Sequence, residues 1–203
     1  MKKMMIAVVA MAISAFAFMP AELLKVGSPM PNVGDISMQD ISGKEVTLKQ
    51  LSTPKGLLVM FSCNTCPYVI KNQARTKEIL SYAQAQQIGV AVLNPNEAFR
   101  GNEDSFEAMQ AYAKAQGYNW AYSIDKNHVI ADAFGATRTP ECFLFDSNGI
   151  LVYHGAIDDS PSDASAVSRK HLEKAIQEMN AGNTITVPNS KSIGCAIKRL
   201  SKQ

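Results

Sequence analysis

Two cysteines two residues apart, Cys63-Asn64-Thr65-Cys66, stand where an apolar run over residues 56–62 gives way to a polar stretch with helical spacing. At a helix N-terminus, unpaired backbone N–H groups and the helix dipole favour a negative charge, so a thiol there loses its proton more readily. Lowering a thiol from about 8.5 to about 7 raises its thiolate share at pH 7 from roughly 3% to half, a differential of about 2 kcal/mol. Two intervening residues bring the second sulfur within disulfide reach in the first helical turn. On this reading Cys63 attacks a substrate disulfide and Cys66 resolves the mixed disulfide. A zinc site would need two more ligands, and neither Cys142, Cys195 nor the three histidines form a second close pair, so no metal is expected. A purely structural disulfide is the other alternative, and the strand-to-helix position argues against it.

Thr139-Pro140-Glu141 directly precedes the apolar strand candidate 142–146. Proline cannot donate to a ladder, so at a strand's first residue a cis bond and close approach to another loop become plausible. Cys142 opens that strand and reads as a small buried hydrophobe. Cys195 lies in a glycine-flanked tail and reads first as a packing residue, with a redox partnership to Cys63, Cys66 or Cys142 as the alternative. In an oxidising compartment an exposed free thiol does not last, so Cys195 should be bonded or buried.

These residues need a scaffold. Strand candidates fall at 56–62, 89–93, 121–124, 142–146 and 150–154. Ser147-Asn148-Gly149 between the last two is a hairpin turn signal. Helical spacing follows the cysteine pair, runs from a capping box at Asp104-Ser105-Phe106-Glu107 to Gly117, covers 128–134, and returns over 166–180 with Leu172, Ala175, Ile176 and Met179 on one face. Residues 24–47 read as short extended pieces broken by glycine and proline, while 94–102, 158–165 and 185–203 read as loop or surface. The order is a βαβ unit followed by an antiparallel pair, which predicts a single α/β domain.

The chain has 203 residues, 46% of them hydrophobic, with a formal charge of +2. Residues 1–21 carry Lys2 and Lys3, an apolar run and small residues at Ala15 and Ala17, the parts of a signal peptide cleaved after Ala17. Without them the 20 basic residues fall to 18, matching the 18 acidic ones, so the basic excess belongs to the leader. Arg169, Lys170 and Lys174 alternate with Glu173 and Glu178, so no basic face argues for nucleic acid. Expected are a periplasmic or secreted domain over 22–203 with a C-terminal extension at 183–203, and membrane attachment only if the leader is retained.

Leu58 to Pro67, the segment Gly135-Ala136-Thr137-Arg138-Thr139-Pro140, and the hairpin after it resemble the thioredoxin-like superfamily. Within it the chain is similar to peroxiredoxin-like redoxins of the alkyl-hydroperoxide-reductase and thiol-specific-antioxidant type, a likeness that includes Ser192 to Lys198. The resemblance implies a thioredoxin-like fold, a central mixed sheet flanked by helices. It also implies an attacking Cys63, a resolving Cys66, and a cis Pro140 that faces them and guides an extended substrate. The activity implied is thiol–disulfide exchange on protein or small-thiol disulfides by a monomer that needs no cofactor and takes electrons from a redox partner. Ser62 replaces the usual tryptophan, and the expected buried carboxylate would fall near Leu57, leaving water or Glu141 to handle protons. A thiol peroxidase is the first alternative, although counting back three and seven residues gives Met60 and Gly56 from Cys63, and Cys63 and Val59 from Cys66, where that family has threonine and proline. Arg138 reads as a surface residue. Copper delivery through Cys66-Pro67 and one of His128, His154 or His171 is the second alternative.

Overall fold

The computed structural model describes residues 22–200, so the leader and its cleavage after Ala17 lie outside the described residues. Two short strands, β1 (Met38–Gln39) and β2 (Glu45–Val46), pair antiparallel. The single helical turn α1 (Leu48–Leu51) follows, closed by a reciprocal Thr47/Gln50 capping box. β3 (Leu57–Phe61) is buried at every position, as an apolar run without alternation requires of a strand covered on both faces. α2 (Pro67–Ala85) leads from it to β4 (Gly89–Asn94). α3 (Phe106–Gln116), ended by Gly117 in the left-handed region, leads to β5 (Ala121–Ile124). α4 (Val129–Phe134) precedes β6 (Arg138–Thr139), β7 (Glu141–Phe145) and β8 (Leu151–Gly155). α5 (His171–Asn180) and β9 (Cys195–Ala196) complete the order.

The main sheet runs β5-β4-β3-β7-β8, parallel across β5, β4 and β3 and antiparallel from β3 through β7 to β8. Alternation along β3 serves two cores. Leu58 and Met60 join Ile79, Leu80, Met109, Leu172 and Ile176 from α2, α3 and α5. Leu57, Val59 and Phe61 face Ile130 and Phe134 of α4 on the other side. There Phe61, Phe134 and Phe143 pack edge to face at 5.1–5.7 Å. This is a thioredoxin-like α/β fold, and no helix among the described residues is long and apolar enough to cross a membrane.

Three expectations need correction. The cap of α3 is Ser105, whose hydroxyl accepts from Ala108 N–H, because the Asp104 carboxylate is drawn inward to other partners. α5 starts at His171 instead of residue 166, since Asp163 caps a separate short turn at Ala164–Ala166 and the chain is extended at Val167. The stretch after 185 is not a free surface segment. Pro188 accepts from His154 N–H, Ser190 accepts from Ala156 N–H, and Ile197 is buried.

Candidate active site

β3 delivers the cysteine pair to the C-terminal edge of the sheet, where Ser62 N–H still follows the ladder by donating to Leu93 O. The chain then turns through Cys63, Asn64 and Thr65 before α2 begins. Asn64 is buried and fully engaged. Its N–H donates to Asp104 Oδ1 at 2.9 Å, its side-chain amide donates to Glu103 O at 2.8 Å, and its Oδ1 accepts from Tyr122 OH at 2.8 Å. Asp104 also accepts from Asn94 Nδ2 at 2.8 Å and from Asn96 Nδ2 at 2.9 Å. Three donors thus converge on the Asp104 side chain and tie it to the cysteine loop. The buried acid therefore exists, but it arrives from the loop before α3; Leu57, at the position where the family would place it, is a core leucine.

On the opposite side stands the loop before β7. The Thr139–Pro140 peptide bond is cis, as the sequence suggested. Cys63 Sγ lies 3.4 Å from Thr139 Oγ1, and Cys66 Sγ lies 3.2 Å from Thr139 O. Glu141 fixes this loop. Its Oε2 accepts from Thr137 N–H at 2.8 Å and Arg138 N–H at 3.0 Å, and its Oε1 meets His154 Nε2 at 2.8 Å. So engaged, Glu141 holds the loop and is not a free proton carrier for the cysteines; the carboxylate whose charge acts on Cys63 is Asp104.

The helix starts later than the sequence reading assumed. α2 begins at Pro67, so the N-cap is Cys66. The neighbouring Cys63 thiol first, then the Cys195 thiol and the Val69 and Cys195 N–H groups, favour a thiolate there and outweigh its burial. One contact opposes them, because the Thr139 carbonyl accepts from a Cys66 thiol and repels a thiolate. Together these neighbours pull Cys66 below an ordinary thiol despite that carbonyl. Cys63, held as the donor to Cys66, buried, and facing Asp104, is pushed up, and the Thr139 hydroxyl offsets part of that rise. The charge of the pair thus rests on Cys66.

Cys195 is the third sulfur. β9 pairs antiparallel with β6 in the register Thr139↔Cys195, which sets its half-buried thiol against Cys66. Sequence reasoning left this residue undecided because 129 positions separate it from Cys66. Cys142 lies fully buried in β7 away from this cluster, its thiol pushed up by burial. All four cysteines are unbridged. Arg138 is exposed and donates to Gly194 O at 3.2 Å. His128 pairs with Asp132 at 2.8 Å, His154 with Glu141, and His171 stands half-buried at the start of α5. No group of three metal-ligating side chains converges among the described residues.

Comparison with known proteins bears on the fold and the family. A hypothetical protein of Sinorhizobium meliloti 1021 superposes with a TM-score of 0.77 at 30% identity, covering 89% of this chain and 98% of that one. An uncharacterized conserved protein of Geobacillus kaustophilus gives 0.76 at 28% identity, covering 90% and 95%. A putative protein disulfide isomerase of Bacteroides thetaiotaomicron shares the fold with a TM-score of 0.57 at 18% identity over 80% and 91% of the two chains. Among curated proteins, the ubiquitin carboxyl-terminal hydrolase MINDY-1 of Danio rerio is 25% identical over 130 residues, 62% of this chain. The chain spans only 25% of that protein's length, so the hydrolase activity is a statement about that protein alone. A model described as the AhpC/TSA family matches residues 26–154, from ahead of β1 into β8 and including both cysteines of the pair, and the chain belongs to that family of thioredoxin-like redoxins.

Proposed function

We propose that this redoxin is a thiol–disulfide oxidoreductase whose working pair is Cys63 and Cys66, with disulfides of proteins or small thiols as substrates. The observation that carries the reading is the pair of buried thiols packed together at the junction of β3 and α2, each against Thr139. The sequence reading gave the attack to Cys63; the N-cap position and the surrounding donors favour Cys66 for that role. The Cys66 thiolate attacks one sulfur of a substrate disulfide, forming a mixed disulfide and releasing the first substrate thiolate. Cys63 then loses its proton and attacks Cys66 Sγ, releasing the second substrate thiolate and closing the Cys63–Cys66 bond. An external dithiol returns the two electrons. The leader read over residues 1–21 would put this exchange outside the cytoplasm.

Membership of the AhpC/TSA family favours peroxide reduction as a second reading. Against it stand the missing threonine and proline positions and the arginines, since Arg138 reaches the tail and Arg100 is taken up by Glu97, Asn94 and Asp104. Of the histidines offered for copper delivery, His128 is paired with Asp132 and His154 with Glu141.

The test is turnover of a protein disulfide with a dithiol donor, run beside peroxide consumption. Cys66→Ser should abolish disulfide turnover, and Cys63→Ser/Cys195→Ser should trap a mixed disulfide on Cys66. Full activity of Cys66→Ser would end the reading, and peroxide turnover outpacing disulfide reduction would move it to a peroxidase. A trap forming in Cys66→Ser instead would return the attack to Cys63.

A further inference from the structure

The tail does more than end the chain. Ile197 N–H donates to Thr137 O at 3.0 Å, Lys198 N–H donates to Asn96 Oδ1 at 2.9 Å, and Ala98 N–H donates to Lys198 O at 2.9 Å. Arg199 donates to Asp132 at 2.9 Å and to Ala136 O at 2.7 Å. These bonds strap residues 194–199 across both loops of the site. Gly194 makes the fit possible, because a Cβ there would lie 2.1 Å from the Thr139 carbonyl oxygen that also faces Cys66. Under the strap Cys63 and Cys66 are only 2% and 3% exposed, while Cys195 keeps an intermediate exposure. Cys63, Cys66 and Cys195 pack in one cluster, with both pair sulfurs against Thr139 and Cys195 set opposite Thr139 in the β6–β9 register.

We propose that Cys195 is a third redox-active cysteine, which takes the disulfide over from the Cys63/Cys66 pair and presents it to the external dithiol. This rests on the redox role of that pair. The Cys195 thiolate attacks Cys66 Sγ of the Cys63–Cys66 disulfide. The Cys66–Cys195 bond forms, the Cys63–Cys66 bond breaks, and Cys63 leaves as a thiolate that takes up a proton. No net electrons move in this exchange. A dithiol of the redox partner then reduces Cys66–Cys195, becoming a disulfide itself, and all three cysteines are thiols again. In the reduced protein burial, and then the Cys66 sulfur, keep the Cys195 proton in place. Once Cys66 is bound in a disulfide its hydrogen-bond and charge effects vanish, leaving burial opposed by Tyr68 N–H and Lys198, which favour the Cys195 thiolate. Oxidation of the pair therefore eases formation of the Cys195 thiolate.

The experiment is stoichiometric oxidation of the full chain by diamide, alkylation of free thiols, and non-reducing tryptic mass spectrometry. Cys63 and Cys66 fall in one peptide, 56–71, and Cys195 in another, 192–198. The expected product links the two peptides, and in Cys63→Ser that link must run from Cys66 to Cys195. Cys195→Ser should retain the Cys63–Cys66 bond yet be reduced by a protein dithiol several-fold more slowly than wild type. If wild type and Cys63→Ser both leave Cys195 fully alkylated while Cys63–Cys66 forms in wild type, the relay is overturned and the pair's function stands. If none of the three sulfurs forms a bond with another, both fall.

Discussion

Replacing Asp104 by asparagine tests whether a carboxylate brought in from the loop before α3 holds the cysteine loop. Asparagine keeps one oxygen, which can still accept from Asn64 N–H and Asn94 Nδ2, but both bonds drop from charged to neutral strength. At about 1.5–3 kcal/mol for a charged bond against about 1 for a neutral one, they lose about 1 kcal/mol each. The second carboxylate oxygen becomes an NH₂ facing Asn96 Nδ2, donor against donor, and that contact loses about 2 kcal/mol more. Relief from burying a charge offsets part of this, leaving a net destabilisation of about 3 kcal/mol. Urea unfolding of Asp104→Asn against wild type measures it. The same change removes a negative charge that adds to the hydrogen bond and burial raising Cys63. In a Cys66→Ser/Cys195→Ser background, adding Asp104→Asn should therefore make Cys63 alkylate faster. An unfolding midpoint equal to wild type, or slower alkylation, would refute the role given to the carboxylate.

Asp125 accepts the N–H groups of Ile130 and Ala131 at the start of α4, yet burial raises it from 3.8 to about 6. The folded state then holds a proton that the unfolded state has released, so stability falls as pH rises from about 4 to about 6, by about 3 kcal/mol in total. The stability difference between Asp125→Asn and wild type should shift by that amount across this window, and a pH-independent difference would contradict it. Glu141→Ala leaves Thr137 N–H, Arg138 N–H and His154 without their acceptor and should cost about 3–5 kcal/mol in chemical denaturation, against about 1 for Glu141→Gln. Comparable losses for the two would show that packing, not the hydrogen bonds, holds the loop. Gly194→Ala forces a Cβ onto the Thr139 carbonyl and should lift the strap, so Cys66 alkylates faster in the reduced protein; an unchanged rate would mean that the tail does not shield it.

What the sequence made legible was local. The uninterrupted apolar run of β3, the two-residue spacing of the cysteines and the turn at residues 147–149 each carry their meaning within a few positions, and so does the proline ahead of β7. The order of strands and helices followed from them, while the meeting of the cysteine pair with the Pro140 loop came from the family resemblance. What stayed hidden depends on contacts between distant segments. Asp104 opens a stretch with capping-box spacing, and only the amides of Asn64, Asn94 and Asn96 around it turn the carboxylate inward. A small difference in where α2 begins moved the N-cap to Cys66, a shift no periodicity resolves, since helix ends scatter by one or two residues.

Asn96 then joins the two halves of the site, because it donates to the Asp104 carboxylate that positions the cysteine loop and accepts from Lys198 N–H of the strap. β9 occupies the edge at Thr139, so under the proposed function an extended substrate that pairs there would have to displace the tail. The cost of that release is shared among the tail's bonds to Thr137, Asn96, Ala98, Asp132 and Ala136 and the withdrawal of Ile197 from the core beneath. Local opening of such a segment lies at the low end of a protein's stability range, which lets a rigid sheet hold the sulfurs in place while a two-stranded strap governs access to them.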